Sequence, residues 1–168
     1  MEMKQIGVMH TPYKKVEDVL YHRGMAEEDG ELEFFKEYED GLKDIEQASH
    51  LIVLSWLDKA DRDVLQEPNP HGAEIHGIFV TKTQNRPNPI GVTMAKLLER
   101  RGNILRVTGI DALDGTPLLD IKPYFAANDA VQGARIEWFF GLHRQLGLEL
   151  PDDFMNYFGG KIERQRNS

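Results

Sequence analysis

Short apolar segments bounded by turn-forming residues run along most of the chain, and they constrain its fold more than any other feature. Segments of this length are typical of strands, whereas core helices need longer periodic stretches. Many closely spaced strands with few helices between them favour a closed sheet. We therefore predict a mainly β protein, a single small β-barrel with short helices and long loops, and not a Rossmann fold. The predicted strands are 5–10, 31–35, 50–57, 77–80, 91–98, 104–110 and 118–121.

Few segments carry helical periodicity. Apolar residues at helical spacing predict one helix at 38–47 and another at 133–146. The polar segment 13–30 predicts a long loop, and the prolines within 66–72 predict a second loop. No linker divides the chain, so we expect a barrel domain over residues 1–135. Residues 136–168 are then a C-terminal helical extension of the same domain.

Composition and the absence of several sequence motifs exclude some classes of function. The 168 residues include no cysteine, which excludes disulfides, zinc–thiolate sites and thiol nucleophiles. The chain has no G-x-G-x-x-G turn, P-loop or H-E-x-x-H helix, and His71 and His76 are not spaced as metal ligands on a helix. We expect no metal. No apolar run is long enough for a membrane span, and the first residues lack a signal core, so a cytoplasmic location is expected.

Charge is unevenly distributed along the sequence. The net charge of −8 argues against a general nucleic-acid coat, which is usually basic. Acidic residues dominate 27–46, whereas 82–106 carries six bases against the single acid Glu99. The basic run could bind an anionic partner, and the alternative is an ordinary solvated surface.

The segment 81–91, with the sequence TKTQNRPNPIG, is the most distinctive in the chain. Pro87 and Pro89 hold their own φ near −65° and push Arg86 and Asn88 towards extended conformations. A loop stiffened in this way holds its polar groups in a preset arrangement, which lowers the ordering cost of binding a ligand. The alternative is a rigid connection between strands with a solvated arginine.

A second distinctive segment, 109–124, places three aspartates and a lysine within an apolar strand–turn–strand frame. Asp120 and Lys122 lie two residues apart and so share one face of an extended chain. Burial of such groups is costly unless they are paired or functional. The alternative is that Asp114 serves the turn and that Asp120 and Lys122 form a surface pair.

Together the two segments resemble the YaeB/VirR-like (TsaA-like) family of S-adenosylmethionine-dependent tRNA N6-methyladenosine methyltransferases. The family pattern Arg-Pro-Asn-Pro-Ile-Gly is present at 86–91, and Asp-x-x-Asp-Gly-Thr-Pro-x-x-Asp-Ile-Lys-Pro-Tyr is present at 111–124. Further matches are Ile-Gly-x-x-x-Thr-Pro-Tyr at 6–13 and Ser-His-Leu at 49–51. The resemblance extends over about residues 4–125, which is most of the chain.

The resemblance implies a small β-barrel, an S-adenosylmethionine cofactor, a homodimer and a tRNA substrate. The implied reaction is methylation of N6 in N6-threonylcarbamoyladenosine at tRNA position 37. One alternative is a non-catalytic S-adenosylmethionine-binding or sensor module, and another is a structural barrel without a ligand. Binding of the cofactor separates the last of these from the first two.

The implied site has two parts. Asp111, Asp120, Lys122 and Tyr124 are assigned to catalysis. Asp111, Asp114 and Asp120 are the candidates for activating N6, and Lys122 and Tyr124 are positioning groups. Arg86 and Asn88 are assigned to the cofactor, with the barrel rim and the dimer contact as alternatives, and His22 has the alternative of facing solvent. The cofactor set is Tyr21, His22, Arg23, Asp58, Lys59, Lys82, Arg86, Asn88, Thr108, Gly109, Ile110 and Asp111.

The chain departs from the family pattern at two points. Lys82 stands where the family usually has arginine, which keeps the charge but loses the planar fork needed for bidentate contacts. Many bacterial members also carry a further domain after the barrel, whereas about 44 residues follow Tyr124 here. If that domain holds tRNA, this chain is expected to bind tRNA more weakly.

Overall fold

Six strands close into an antiparallel barrel in the computed structural model, which describes residues 2–21, 28–68, 74–131, 134 and 136–138. The strands are β1 (Gly7–His10), β2 (Asp29–Phe34), β3 (His50–Trp56), β4 (Gln66–Pro68), β5 (Ile75–Gly77), β6 (Ile90–Arg101), β7 (Ile104–Thr108) and β8 (Thr116–Pro123). The order around the barrel is β1-β2-β7-β6-β3-β8, and β1 pairs with β8 to close it. The predicted mainly β barrel is confirmed.

Alternation of side chains along each strand builds the core. In β3, Leu51 and Val53 are buried while their neighbours are more exposed, and β7 follows the same rule with Leu105 and Val107. A strand with this period of two presents one face to the barrel interior. The barrel core consists of Met9, Leu32, Phe34, Leu42, Leu51, Val53, Ala95, Leu105, Val107, Ile110, Ala112 and Leu118.

The predicted loop at 13–30 is wrong in part, because helix α1 (Val16–Tyr21) lies within it. The carboxylate of Asp18 accepts hydrogen bonds from the backbone N–H groups of Lys14 and Lys15, at 3.2 and 3.0 Å. These bonds satisfy donors at the start of the helix. The polar composition of the segment concealed this local stabilisation.

The predicted helix at 38–47 is replaced by two 3₁₀ helices, Lys36–Leu42 and Ile45–Gln47. Asp44 has a φ of 66° between them, so a continuous α-helix cannot pass through this residue. A further short helix, α2 (Ala126–Asp129), follows β8. The predicted helix 133–146 lies almost entirely outside the described residues.

β4 and β5 form a separate two-stranded sheet. They belong to a second compact unit, residues 65–82 with 125–168, whereas the barrel comprises 1–64 with 83–124. The predicted strand 77–80 is wrong beyond Gly77, because Ile78–Val80 forms a 3₁₀ turn in which the N–H of Thr81 bonds to the carbonyl of Ile78. The predicted loop at 66–72 contains β4. The predicted domain boundary at residue 135 stays a prediction.

A β-bulge changes the face that β8 presents. Thr116 and Leu118 are buried, but the register against β3 shifts between Leu118 and Asp120, which leaves Leu119 as the extra residue. Beyond the bulge the inward position is Ile121, which packs against the core. Asp120 and the exposed Lys122 therefore lie on the outer surface of the barrel.

Candidate functional site

All segments that form the candidate site lie at one end of the barrel. The carboxyl ends of β1, β3 and β7 meet the amino ends of β6 and β8 there, because neighbouring strands are antiparallel. The connections that leave these strands are α1, residues 57–64 after β3 and residues 109–115 after β7. The two distinctive sequence segments, far apart in the chain, therefore approach the same end.

A cleft of about 80 Å³ opens among these connections. Its polar groups include Asp58, Lys59, Gln84 and Asp111, so it carries two carboxylates and one ammonium. Three of the residues assigned from sequence are brought together here, namely Asp58, Lys59 and Asp111. The rest of the wall is mostly apolar and consists of Val16, Val19, Leu57, Ala60, Ala112, Leu113 and Thr116.

Asp111 is held by a neighbour that the sequence analysis did not identify. The hydroxyl of Thr93 on β6 donates a hydrogen bond of 2.8 Å to Oδ1 of Asp111. Gly109, with a φ of 91°, directs the chain from β7 towards the cleft; a Cβ there would lie 3.2 Å from the carbonyl oxygen of Met94. Only glycine adopts this conformation readily, which explains why the segment 109–124 begins with one.

Asp114 belongs to the frame of the site and does not line the cleft. Its carboxylate accepts hydrogen bonds from Nζ of Lys14 at 2.7 Å and from the backbone N–H of Thr11 at 3.1 Å. The bond from Lys14, with that from Thr11, lowers the pKa of Asp114 below its usual value. The Thr11 hydroxyl also donates to the carbonyl of Ala112 at 2.8 Å. Asp114 therefore acts in turn chemistry, the alternative considered above.

The proline-stiffened segment packs on the connection after β3. The N–H of Leu57 bonds to the carbonyl of Pro89 at 2.8 Å, and Nε of Arg62 donates to the carbonyl of Pro87 at 3.0 Å. The side chain of Asn85 accepts a bond from the N–H of Asp61 at 3.1 Å. These bonds hold Asp58 and Lys59 beside the segment.

Arg86 and Asn88 do not line the cleft, and Gln84 reaches it instead. Arg86 is half-buried and Asn88 is exposed. Gln84 belongs to the distinctive segment 81–91 but precedes the family pattern at 86–91, so the motif did not indicate it. The role of Arg86 and Asn88 in cofactor binding stays a prediction.

The remaining cofactor residues lie at several places. Tyr21 ends α1, while His22 and Arg23 lie outside the described residues. Lys82 is exposed, and it ends the segment 65–82 of the second compact unit. Thr108 ends β7, and its hydroxyl donates to the carbonyl of Glu28 at 3.4 Å; Ile110 is buried in the core.

Three of the residues assigned to catalysis lie apart from the cleft lining. Nζ of Lys122 and Oδ2 of Asp120 form an ion pair of 2.6 Å on the outer face of β8, as the surface-pair alternative predicted. Tyr124 follows β8, and its N–H bonds to the carbonyl of His50. Within the described barrel, Asp111 is thus the member of this set that reaches the cleft.

The sequence analysis did not identify Thr93, which bonds to Asp111, or eight of the residues that line the cleft: Val16, Val19, Leu57, Ala60, Gln84, Ala112, Leu113 and Thr116. Val16 and Val19 are three residues apart, a spacing that places them on one helical face once α1 is recognised. Across the residues that the structure describes, there is no cluster of three or more potential metal-ligating side chains. No helix in the described part is long and apolar enough to cross a membrane.

Comparison with known proteins places this site in a family. Residues 8–130 match the family described as tRNA-methyltransferase O N-terminal domain. A probable S-adenosyl-L-methionine-binding protein of Archaeoglobus fulgidus is 50% identical over 139 residues, covering 83% of this chain and 38% of the relative. The tRNA (adenine(37)-N6)-methyltransferase of Escherichia coli is 32% identical, covering 79% of this chain and 61% of the enzyme.

A solved structure supports the same assignment. The crystal structure of TrmO superimposes with a TM-score of 0.70 at 31% identity, covering 80% of this chain and 62% of that one. This chain thus spans well under half of the first relative and about three fifths of the bacterial enzyme. The matched residues include the barrel, the cleft and both distinctive segments, so the chain belongs to the tRNA-methyltransferase O family, as its resemblance to YaeB and VirR predicted.

Proposed function

We propose that this protein binds S-adenosylmethionine at the cleft and transfers its methyl group to N6 of an adenosine in tRNA. The observation that carries the proposal is the meeting of Asp58, Lys59 and Asp111 in one cleft within the family-matched residues. The names of the relatives support both parts, since one is named for binding this cofactor and another for methylating adenine 37 of tRNA.

The donor set of the cleft fits the proposed cofactor. The apolar wall suits an adenine ring, the ammonium of Lys59 suits a carboxylate, and the carboxylates of Asp58 and Asp111 suit hydroxyl or ammonium groups. S-adenosylmethionine, when bound, supplies a methyl group activated by its sulfonium centre. The enclosed volume is below the roughly 300 Å³ of a complete small-molecule pocket, so the cleft holds one part of the cofactor.

The finer proposal is that the substrate is N6-threonylcarbamoyladenosine at position 37. Its N6 is part of a urea-like group and is a poor nucleophile, so hydrogen bonding or proton removal by a carboxylate accelerates attack. Asp111 is the proposed acceptor nearest the cofactor. Asp120, Lys122 and Tyr124 are proposed to position the target nucleotide, because β8 begins at the cleft and carries them outward.

Methyl transfer is tested with labelled S-adenosylmethionine and tRNA that carries N6-threonylcarbamoyladenosine, followed by mass spectrometry of the nucleosides. We expect the modified tRNA to gain one methyl group and tRNA with unmodified adenosine to remain inert. Lys122→Ala should lower methyl transfer more than it lowers cofactor affinity. Activity on the unmodified tRNA alone would overturn the finer substrate assignment but not the reaction class.

A non-catalytic S-adenosylmethionine-binding module is the second candidate. The name of the Archaeoglobus fulgidus relative, which is 50% identical, favours this candidate because it states binding and no reaction. Calorimetry with a chelator present measures cofactor binding without metal. Cofactor binding without methyl transfer to modified tRNA would favour the sensor function over the methyltransferase function. The absence of binding at millimolar cofactor would exclude both functions.

A homodimer in the cytoplasm is also part of the proposal. Three cross-strand apolar pairs cover the outer face of β3 and β6: Ile52 with Met94, Leu54 with Val92 and Trp56 with Ile90. Val92 is 56% exposed, and contiguous apolar surface of this kind is typical of an interface. The neighbouring Asp120–Lys122 pair carries both charge signs, so two copies can complement each other across a two-fold axis.

Light scattering tests the dimer. We expect a mass of twice 19.2 kDa for the native protein and 19.2 kDa for Val92→Lys, with unchanged thermal melting. Met3→Lys is the matched control, because Met3 is also an exposed apolar residue but lies outside this face. A native protein that is monomeric at micromolar concentration contradicts the proposal.

A further inference from the structure

Thr93 is a polar side chain on the inward side of β6. Val92 and Met94 on either side of it are exposed, whereas Ala95, two residues on, is fully buried. Its backbone partner on β3 is the buried Val53. A hydroxyl in this position needs a hydrogen-bond partner, since burial of an unsatisfied polar group is costly.

The partner of Thr93 is the carboxylate of Asp111, at 2.8 Å from Oγ1 to Oδ1. Asp111 lies in the connection between β7 and β8, beyond the last residue of β7, so strand pairing does not hold it. Threonine is stiff about χ1, and pairing with Val53 of β3 fixes the backbone of Thr93, while β6 pairs with β7 from Lys96 onward. The bond thus ties a carboxylate on a connecting loop to a rigid strand of the barrel.

Resting on the proposed function, we propose that Thr93 is a positioning residue that orients the Asp111 carboxylate to receive hydrogen-bond donors of S-adenosylmethionine. A carboxylate has about four acceptor sites, and the Thr93 hydroxyl uses one of them. Among the described residues Asp111 has no other side-chain hydrogen bond, so its other acceptor sites can receive ribose hydroxyls or the ammonium of the amino-acid end. Holding the carboxylate in place before binding removes part of the ordering cost that the ligand otherwise meets.

Calorimetric affinity for S-adenosylmethionine tests the proposal with three variants. Thr93→Val keeps the shape of the side chain and removes the donor, and it should weaken binding about tenfold, the loss expected for a hydrogen bond to a charged group. Thr93→Ser keeps the hydroxyl and should bind within about twofold of the native protein. Asp111→Asn provides the background for a double-mutant cycle.

The cycle separates positioning from general damage to the fold. If Thr93 acts through Asp111, adding Thr93→Val to Asp111→Asn should change the affinity by less than about twofold. An equal loss on both backgrounds, or a serine variant as weak as the valine variant, would overturn the proposal. If the valine variant melts below the assay temperature, Thr93→Ala takes its place with the same expectation.

Two further arms complete the experiment. In the first, affinity is measured for 5′-methylthioadenosine, which lacks the amino-acid end of the cofactor. If Thr93→Val still lowers the affinity tenfold, the ribose is the partner of Asp111. If Thr93→Val no longer lowers it, the partner is the ammonium. A native protein that does not bind S-adenosylmethionine overturns the proposed function itself. A native protein that binds, with Thr93→Val unaffected, overturns only the role of Thr93.

Discussion

At the scale of single residues, Asp114 joins two parts of the frame around the cleft. Its bonds to Lys14 and to the N–H of Thr11 connect the segment after β1 with the turn before β8. The side chain is 31% exposed, so solvent screening reduces the strength of the ion pair. The bond to a backbone donor is less affected, because it depends on geometry more than on long-range charge.

Asp114→Asn should lower the free energy of unfolding by about 1 kcal/mol at pH 7. Its pKa is lowered in the folded state, so the carboxylate stabilises the fold above its unfolded pKa, and this contribution disappears as pH falls through the lower folded pKa. The difference between variant and native protein should therefore shrink in acid.

Urea unfolding at pH 7 and at successively lower pH measures this difference. Asp40→Asn is the matched control, because it removes the same charge at an exposed position. A difference for Asp114→Asn that stays constant down to pH 2 would show that the ionised carboxylate is not the stabilising form.

At the scale of elements, α1 forms one wall of the cleft through Val16 and Val19. Val19→Ala should weaken S-adenosylmethionine binding about five- to tenfold, because it removes roughly two methyl groups of apolar contact. Calorimetry measures the loss. Glu17→Ala on the same helix does not alter the lining and should leave the affinity unchanged; equal losses in both variants would indicate that α1 acts only through its stability.

The bulge in β8 explains why neighbouring residues of one motif have different roles. After it, Ile121 points to the core while Asp120 and Lys122 point outward. Ile121→Ala should therefore lower the free energy of unfolding by about 2 kcal/mol, and Lys122→Ala by less than about 1 kcal/mol. Urea unfolding of the two variants decides this, and the reverse order would mean that the strand keeps a single register.

At the scale of the whole barrel, the acidic and basic runs of the sequence are neighbours. β2 pairs with β7, and Glu31 lies opposite Arg106 in the register. Ion pairs within the described residues join Arg100 to Glu46 at 3.6 Å, Arg101 to Glu99 at 2.7 Å, and Arg106 to Asp29 at 3.3 Å. The basic run is therefore partly neutralised within the fold, as the solvated-surface alternative requires.

This neutralisation limits how strongly tRNA binding depends on salt. Because these ion pairs already use part of the charge of the run, the log–log slope on duplex regions should be clearly shallower than the about −5 expected for six neutralised phosphates. Filter binding from 50 to 200 mM salt measures it. Lys96→Ala should reduce the slope by about 1, whereas Arg101→Ala should change it little, because its charge is already paired. A slope near −5 would mean that tRNA breaks these ion pairs.

The sequence by itself determined the barrel and the family, and it predicted Asp58, Lys59 and Asp111 as site residues, which line one cleft in the structure. Strand alternation and the turn residues around Gly102 and Gly115 act locally, so they can be read without knowledge of distant contacts. Long motifs are likewise properties of the chain alone. For the same reason the strands 50–57, 91–98 and 104–110 were predicted close to their observed bounds.

Only the tertiary structure decided which of these residues share a cleft. The bulge at Leu119 depends on the register against β3, and it separates Asp120 and Lys122 from Asp111 although all three belong to one motif. Thr93 lies 18 residues from Asp111 and meets it because the antiparallel pairing of β6 with β7 brings β6 beside the connection that follows β7. Contacts between distant segments depend on pairing and on the face each residue presents, and neither is a local property of the chain.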